Sequence, residues 1–114
     1  MQLREVVQLL DAKVLTGGSE LNREVKHAFA SDLMSDVLTV DHTNTLLITG
    51  LSNLQSVRTA DMSDIGQVIV VRNKEVSVEM IRLAQASNIV LLTSSYSMYR
   101  VSGILYEAGI EPIF

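Results

Sequence analysis

The chain has 114 residues, of which 47% are apolar and only 4% aromatic, so it can form one domain, 1–114, with an aliphatic core. Its net charge of −4 and its scattered lysines and arginines argue against a nucleic-acid partner, because such proteins carry a basic stripe. No cysteine is present and no apolar run approaches the roughly 18 residues that cross a bilayer, so we expect a cytoplasmic domain with no disulfide and no membrane contact.

The first third of the chain alternates short helical and extended patterns. A helical stripe predicts an amphipathic helix over about residues 2–11; its apolar positions are Leu3, Val6, Val7 and Leu10. A short strand at 14–15 ends at two glycines, and a second strand is predicted over 25–30. Ser31 or Asp32 is then expected to cap a short helix.

Three further strands are predicted at 45–49, 68–71 and 89–92. The last two are uninterrupted apolar runs, which indicates that both of their faces are buried, as in central parallel strands. A helical pattern follows each strand. This alternation predicts an α/β fold, a three-layer α/β/α sandwich with a central, mostly parallel sheet of about five strands.

Hydroxyl side chains indicate where the later helices begin. Ser52 and Gln55 have the spacing of a capping box, which predicts a helix from Asn53 onward. Ser77 is expected to cap the next helix, and Thr93-Ser94-Ser95 is expected to open the last one.

Three predicted strand ends carry residues that can hold an anion, namely Thr16-Gly17-Gly18, Thr49-Gly50 and Thr93-Ser94-Ser95. Each combines a hydroxyl with nearby backbone amides. Because ligands gather at the carboxyl ends of strands in open α/β sheets, we expect these ends to line one rim that binds a small anionic ligand or nucleotide. The alternative is structural: Thr16-Gly17-Gly18 is a tight turn and the serines cap a helix.

Acidic and histidine residues provide weaker candidates for chemistry. Asp32 and Asp36 are four residues apart on a predicted helix, where both carboxylates would share a face and suit a divalent ion or an acid–base pair. A solvated helix face is the alternative. His27 and His42 lie in different elements and, without cysteine, do not form a recognisable zinc set. We therefore predict no catalytic residue, no metal and no cofactor.

The last helix carries a second stripe of Tyr99, Gly103 and Tyr106 beside its core-facing positions. Glycine inside a helix costs about 1 kcal/mol relative to alanine, which the close approach of another backbone would offset. Tyrosine is common where one end of a side chain is buried and the other is wet. We expect this face to form a homodimer; the alternative is that the tyrosines cover the edge of their own core.

Four segments resemble the DRTGG domain family in order and spacing over essentially the whole chain. They are Val14-Leu15-Thr16-Gly17-Gly18, Leu21-Asn22-Arg23-Glu24-Val25, Asp32-Leu33-Met34-Ser35-Asp36-Val37-Leu38 and Leu105-Tyr106-Glu107-Ala108-Gly109-Ile110. The literal Asp-Arg is replaced by Val14-Leu15 before Thr16. The resemblance implies an α/β/α sandwich like the N-terminal domain of HPr kinase/phosphorylase. Such domains occur beside CBS domains in regulated pyrophosphatases and in long forms of phosphotransacetylase.

The resemblance also implies a function that is regulatory or dimer-forming rather than catalytic. We expect a free-standing copy that acts through a homodimer, or on a partner enzyme or CBS-domain protein. Two alternatives from other classes remain, a protein–protein adaptor without a ligand and a small enzyme that uses Asp32 and Asp36.

Overall fold

The structure is a computed structural model that describes residues 1–39 and 44–114, so His42 lies outside the described residues. The elements, in chain order, are α1 (Leu3–Leu9), β1 (Lys13–Val14), β2 (His27–Ala30), α2 (Met34–Val37), β3 (Thr45–Thr49), α3 (Leu54–Met62), β4 (Gln67–Val70), α4 (Val78–Ala86), β5 (Val90–Thr93), α5 (Met98–Glu107) and β6 (Glu111–Pro112). A 3₁₀ turn, Gly18–Glu20, follows β1. No helix in these two described stretches is both long and apolar enough to span a membrane.

The strands form one sheet in the order β1-β5-β4-β3-β2-β6. β1 is antiparallel to β5, and every other neighbouring pair is parallel. The carboxyl ends of β2, β3, β4 and β5 therefore lie together at one end of the sheet, and their amino ends lie at the other. The predicted α/β sandwich with a mostly parallel sheet is confirmed, and β6 is a two-residue sixth strand too short to give a sequence pattern.

Helices cover both faces of the sheet because alternate side chains of each strand point in opposite directions. On one face, Leu46, Ile48 and Leu92 belong to an apolar cluster that includes residues of α1 and α5. On the other, Leu47 and Leu91 belong to a cluster that includes residues of α2, α3 and α4. All five of these side chains are at most 1% exposed, so β3 and β5 are buried on both faces, as the uninterrupted apolar run at 89–92 predicts for β5.

The start of α3 differs slightly from the prediction. Asn53, not Ser52, is the cap, because its side chain accepts hydrogen bonds from the amides of Gln55 and Ser56 at 3.0 and 3.3 Å. The hydroxyl of Ser52 instead donates to the carbonyl of Glu75, which ties the start of α3 to the loop before α4.

The other predicted helix caps have mixed outcomes. Ser77 caps α4 by accepting from the amide of Met80 at 3.1 Å, as predicted. The cap of α5 is Ser97 rather than Thr93-Ser94-Ser95, because β5 continues through Thr93 and a loop precedes the helix. The N-cap of α2 is Leu33, whose side chain makes no cap hydrogen bond, so neither Ser31 nor Asp32 fills this role.

Candidate functional site

Thr16 continues the ladder between β1 and β5 at the amino end of the sheet. Its hydroxyl donates to the carbonyl of Ile89 at 2.7 Å and accepts from the amide of Leu91 at 2.9 Å. The side chain thus satisfies two backbone groups of the β5 segment just beyond the two residues of β1. Thr16 is 5% exposed and its one proton is used within the chain, so it offers no free donor to an anion.

The glycine requirement of the following turn is steric. Gly17 has φ +77°, and a Cβ there would lie 2.6 Å from Cγ2 and 3.2 Å from Cα of Val90. At Gly18, none of the described atoms lies within 4 Å of an added Cβ. The conformation and packing of Gly17 therefore explain the turn without a ligand.

Arg23, which follows the turn at Gly17, connects this segment to the residues that precede β4 and β5. Its guanidinium donates to the carbonyl of Gly66 at 2.8 Å and to that of Asn88 at 3.1 Å, just before β4 and β5. At the same end of the sheet, the α-amino group of Met1 donates to the carboxylate of Glu24 at 2.6 Å, and this hydrogen bond lowers the pKa of Glu24. At the amino end of the sheet, the polar groups of Arg23 and Glu24 are thus engaged in contacts within the chain.

The three predicted strand ends do not form one rim. Lys13 pairs with Thr93 and Val14 with Leu92, so β1 runs against β5 and reaches Thr16 at the amino end of the sheet. Thr49-Gly50 and Thr93-Ser94-Ser95 follow parallel strands and lie at the carboxyl end. The expectation of a shared rim is wrong because it holds only if β1 is parallel to its neighbour.

An internal carboxylate occupies the donors at the end of β3. Oδ1 of Asp32 accepts hydrogen bonds from the amide of Gly50 at 2.6 Å and from the hydroxyl of Thr49 at 3.1 Å. That hydroxyl also accepts from the amide of Leu51 at 3.1 Å. An anion from solution would have to displace Asp32 before it could use Thr49 and Gly50.

The predicted pairing of Asp32 and Asp36 on one helix face is wrong. α2 has only four residues and begins at Met34, so Asp32 precedes it and turns toward β3, whereas Asp36 lies within it and is exposed. Within residues 1–39 and 44–114, no three His, Cys, Asp or Glu side chains are grouped so as to hold a metal.

We predict that Asp32→Ala destabilises the domain by roughly 1–2 kcal/mol, because it removes a charged acceptor from the Gly50 amide and the buried Thr49 hydroxyl. This loss corresponds to a fall of about 4–8 °C in Tm. Asp36→Ala is the matched control and should change stability by less than about 0.5 kcal/mol. Equal losses in the two variants, measured by urea unfolding, would contradict the role assigned to Asp32.

Two adjacent cavities open at the carboxyl end of the sheet. The first, of about 250 Å³, is lined by Asp11, Lys13, Asn73, Lys74, Thr93, Ser94 and Ser95. The second, of about 160 Å³, is lined by Asp32, Gly50, Val71, Arg72, Lys74 and Met98. Lys74 lines both cavities, and the described residues of the two linings together contain three cations and two carboxylates. This local excess of positive charge, in a chain of net charge −4, favours an anionic ligand.

The loop after β4 positions two of these cations. Arg72 and Asn73 have φ of +65° and +55°, and their amides donate to the carbonyls of Tyr96 at 2.7 Å and Ser94 at 3.0 Å. The hydroxyl of buried Ser94 donates to the carbonyl of Leu10 at 2.7 Å. Ser94 therefore connects the loop after β5 to the loop after β4 and to the end of α1. The hydroxyls of Thr93 and Ser95 are the remaining ligand candidates from this segment.

Sequence reasoning missed the three cations Lys13, Arg72 and Lys74. A signal existed for two of them, because Arg72 and Lys74 follow the strand at 68–71 closely, and ligands gather at the carboxyl ends of central strands. Lys13 gave no such signal, since only the antiparallel pairing of β1 brings it to this end.

The predicted dimer residues lie on an exposed face of α5. Tyr99 is 89% exposed and Tyr106 is 71% exposed, so neither covers much of its own core. A Cβ added at Gly103 would meet none of the described atoms within 4 Å. Nothing in the described fold therefore explains a glycine at this position of the helix.

An apolar cavity of about 230 Å³ lies beside this face, between α5 and β2. Ile48, Leu105, Tyr106 and Phe114 are among its lining residues. Phe114 is 85% exposed although its ring meets that of Phe29 edge-on, with centroids 5.9 Å apart. Tyr106 lines the cavity, so the tyrosine side of α5 lies next to an exposed apolar region.

The sequence was compared with models of known protein families. The sequence model of the DRTGG domain matches residues 5–108, which include the Thr16 turn, Asp32 and all of α5. The chain belongs to the DRTGG domain family. The comparison with curated proteins finds no match to this DRTGG domain.

A solved structure shares the fold of this DRTGG domain. It is the regulatory region of a Clostridium perfringens pyrophosphatase, with CBS and DRTGG domains, complexed with the activator diadenosine tetraphosphate. The TM-score is 0.71 at 14% sequence identity, and the match covers 91% of this chain and 45% of the other. The DRTGG domain described here thus spans less than half of that chain.

Proposed function

We propose that this DRTGG domain is a non-catalytic regulatory module that binds a small anionic ligand or nucleotide and acts through a homodimer or a partner protein. The main observation that supports this proposal is that Lys13, Arg72 and Lys74 surround two adjacent cavities at the carboxyl end of the sheet. The regulatory region from Clostridium perfringens, which has a DRTGG domain and is complexed with a nucleotide activator, supports a regulatory role.

The chemistry of the cavities suits binding rather than turnover. Lys13 and Lys74 supply charge, and Thr93 and Ser95 supply hydroxyl donors for phosphate oxygens. Asp11 and Asp32 are the acids among the described residues of the two linings, and Asp32 already accepts two hydrogen bonds from β3 and its turn. No histidine is among these lining residues, so they include no serine–histidine pair.

Lys74→Gln tests the ligand site, with ATP as the probe in a thermal-shift titration. When ATP is present at 100 times its dissociation constant, the free energy of unfolding of the wild-type protein should rise by about 2.7 kcal/mol, which is about 10 °C in Tm. Loss of the shared cation should weaken ATP binding by about tenfold or more, because a hydrogen bond to a charged group contributes about 1.5–3 kcal/mol.

Lys26→Gln is the matched control, since Lys26 is exposed, lies just before β2 at the amino end, and loses the same charge. It should leave ATP affinity within about twofold of the wild-type value. Equal loss in both variants would indicate non-specific attraction. No Tm shift with ATP or a broad panel of phosphorylated metabolites would favour the adaptor without a ligand.

The homodimer is the second part of the proposal and uses Tyr99, Gly103 and Tyr106 of α5. Its support is the exposure of both tyrosines and the open space at the glycine. Light scattering should give twice the 12.5 kDa chain mass at high micromolar concentration. A monomer at this concentration would contradict the homodimer, and action on a partner enzyme or CBS-domain protein would then be the remaining alternative. An enzyme built on Asp32 and Asp36 gains no support, because the two carboxylates belong to different environments.

A further inference from the structure

The exposed face of α5 is arranged symmetrically about Gly103. At 100° per residue, Tyr99 and Tyr106 lie within about 60° of Gly103 on one side of the helix. Arg100 and Glu107 lie within about 60° on the other side. All four side chains are exposed, and the guanidinium of Arg100 is held over the ring of Tyr96, 3.6 Å from its centroid. The face therefore has an aromatic side and a charged side, each with one residue before and one after Gly103.

A two-fold axis at Gly103 makes this face complementary to itself. In an antiparallel pair of helices, a residue three positions before the axis meets one four positions after it, at heights about 1.5 Å apart. Arg100 of one copy then faces the partner's Glu107, and Tyr99 faces the partner's Tyr106. In a parallel pair, the two-fold axis runs along the helices, so the charged side of one copy would face the aromatic side of the other and Arg100 would meet no acidic partner.

We propose that two copies of this chain dimerise through antiparallel α5 helices that cross at Gly103, with Tyr99 of each copy covering the apolar cavity of the other. This inference rests on the homodimer of the proposed function and specifies its geometry. The charge complementarity between Arg100 and the partner's Glu107 identifies a second copy as the occupant of the face. Exposed ion pairs contribute little affinity, so their role is to select the antiparallel orientation.

The position of the cavity agrees with this geometry. Ser102, Leu105 and Tyr106 line it from α5, on the same side of the helix as the tyrosine pair. The partner's Tyr99 reaches the height of Tyr106 and lies over this cavity, next to exposed Phe114. A stable interface buries about 800 Å² on each partner, whereas two tyrosines supply at most about 500 Å². The cavity rim and Phe114 are the adjacent apolar surface that can provide the rest.

Disulfide trapping tests the orientation directly, because the chain has no cysteine of its own. We expect an oxidised mixture of Arg100→Cys and Glu107→Cys proteins, one carrying a size tag, to form the mixed disulfide at least fivefold more than either homodisulfide. Glu79→Cys on α4, on the opposite face of the sheet, is the control and should not be trapped. A predominant Arg100→Cys homodisulfide would overturn the antiparallel arrangement.

Charge reversal provides a measurement that does not depend on disulfide geometry. Arg100→Glu or Glu107→Arg alone should weaken the dimer by about tenfold, since each creates two like-charge contacts across the axis. The double variant should return to within about threefold of the wild-type constant. A wild-type monomer would refute the proposed homodimer itself. A wild-type dimer without trapping at 100 and 107 and without rescue would refute only the antiparallel α5 geometry.

Discussion

Thr16→Val is expected to destabilise the domain by about 2–6 kcal/mol, against a total of about 5–15 kcal/mol for a typical domain. Valine has nearly the shape of threonine but lacks the hydroxyl. The carbonyl of Ile89 and the amide of Leu91 would both lose their partner inside the protein. Each unsatisfied buried group costs about 1–3 kcal/mol.

Thr16→Ser separates this loss from the loss of packing, because serine keeps the hydroxyl and removes one methyl group. It should cost only about 1 kcal/mol. Denaturant unfolding of the two variants gives the comparison, and Tm should fall by roughly 8–24 °C in Thr16→Val. Similar stability in the two variants would mean that the hydroxyl does not hold β1 against β5.

Tyr106→Arg is expected to weaken the proposed homodimer by about 100-fold or more, so that light scattering gives a monomer at concentrations where the proposal expects the wild type to be a dimer. A central tyrosine commonly contributes 2 kcal/mol or more to an interface, and the new positive charge would be buried against an apolar cavity. The monomer should keep its stability to within about 0.5 kcal/mol, because Tyr106 is 71% exposed in it.

Gly103→Ala provides a second readout for the same face. Alanine should stabilise the monomer by about 1 kcal/mol, since it is the better helix former and a Cβ meets none of the described atoms within 4 Å. The same methyl group should weaken the dimer if two helices cross at this position. A variant that gains stability and keeps its dimer would place the interface elsewhere.

The layers of the fold were predictable because they depend on local patterns. Uninterrupted apolar runs at 68–71 and 89–92 occur where a strand is buried on both faces, and each is followed by a helix. The cap at Ser77 was equally local, since a serine before an apolar stripe has one nearby amide to accept from.

The site was harder to predict because it depends on contacts between distant parts of the chain. A two-residue strand such as β1 carries no signal for its direction, yet that direction moves Thr16 to one end of the sheet and Lys13 to the other. Likewise, the local sequence predicts that Asp32 belongs to a helix. In the structure, Asp32 instead contacts Thr49 and Gly50, which lie 17 and 18 residues further along the chain.

The outermost strands β1 and β6 have a consequence for solubility. Each is only two residues long, and together they contain Lys13, Glu111 and Pro112, whose ring nitrogen cannot donate a hydrogen bond. The apolar runs at 68–71 and 89–92, the segments most capable of cross-β stacking, form inner strands. The folded chain therefore gives another chain little template for extending its sheet, and fibre growth from the native state is disfavoured even at high concentration.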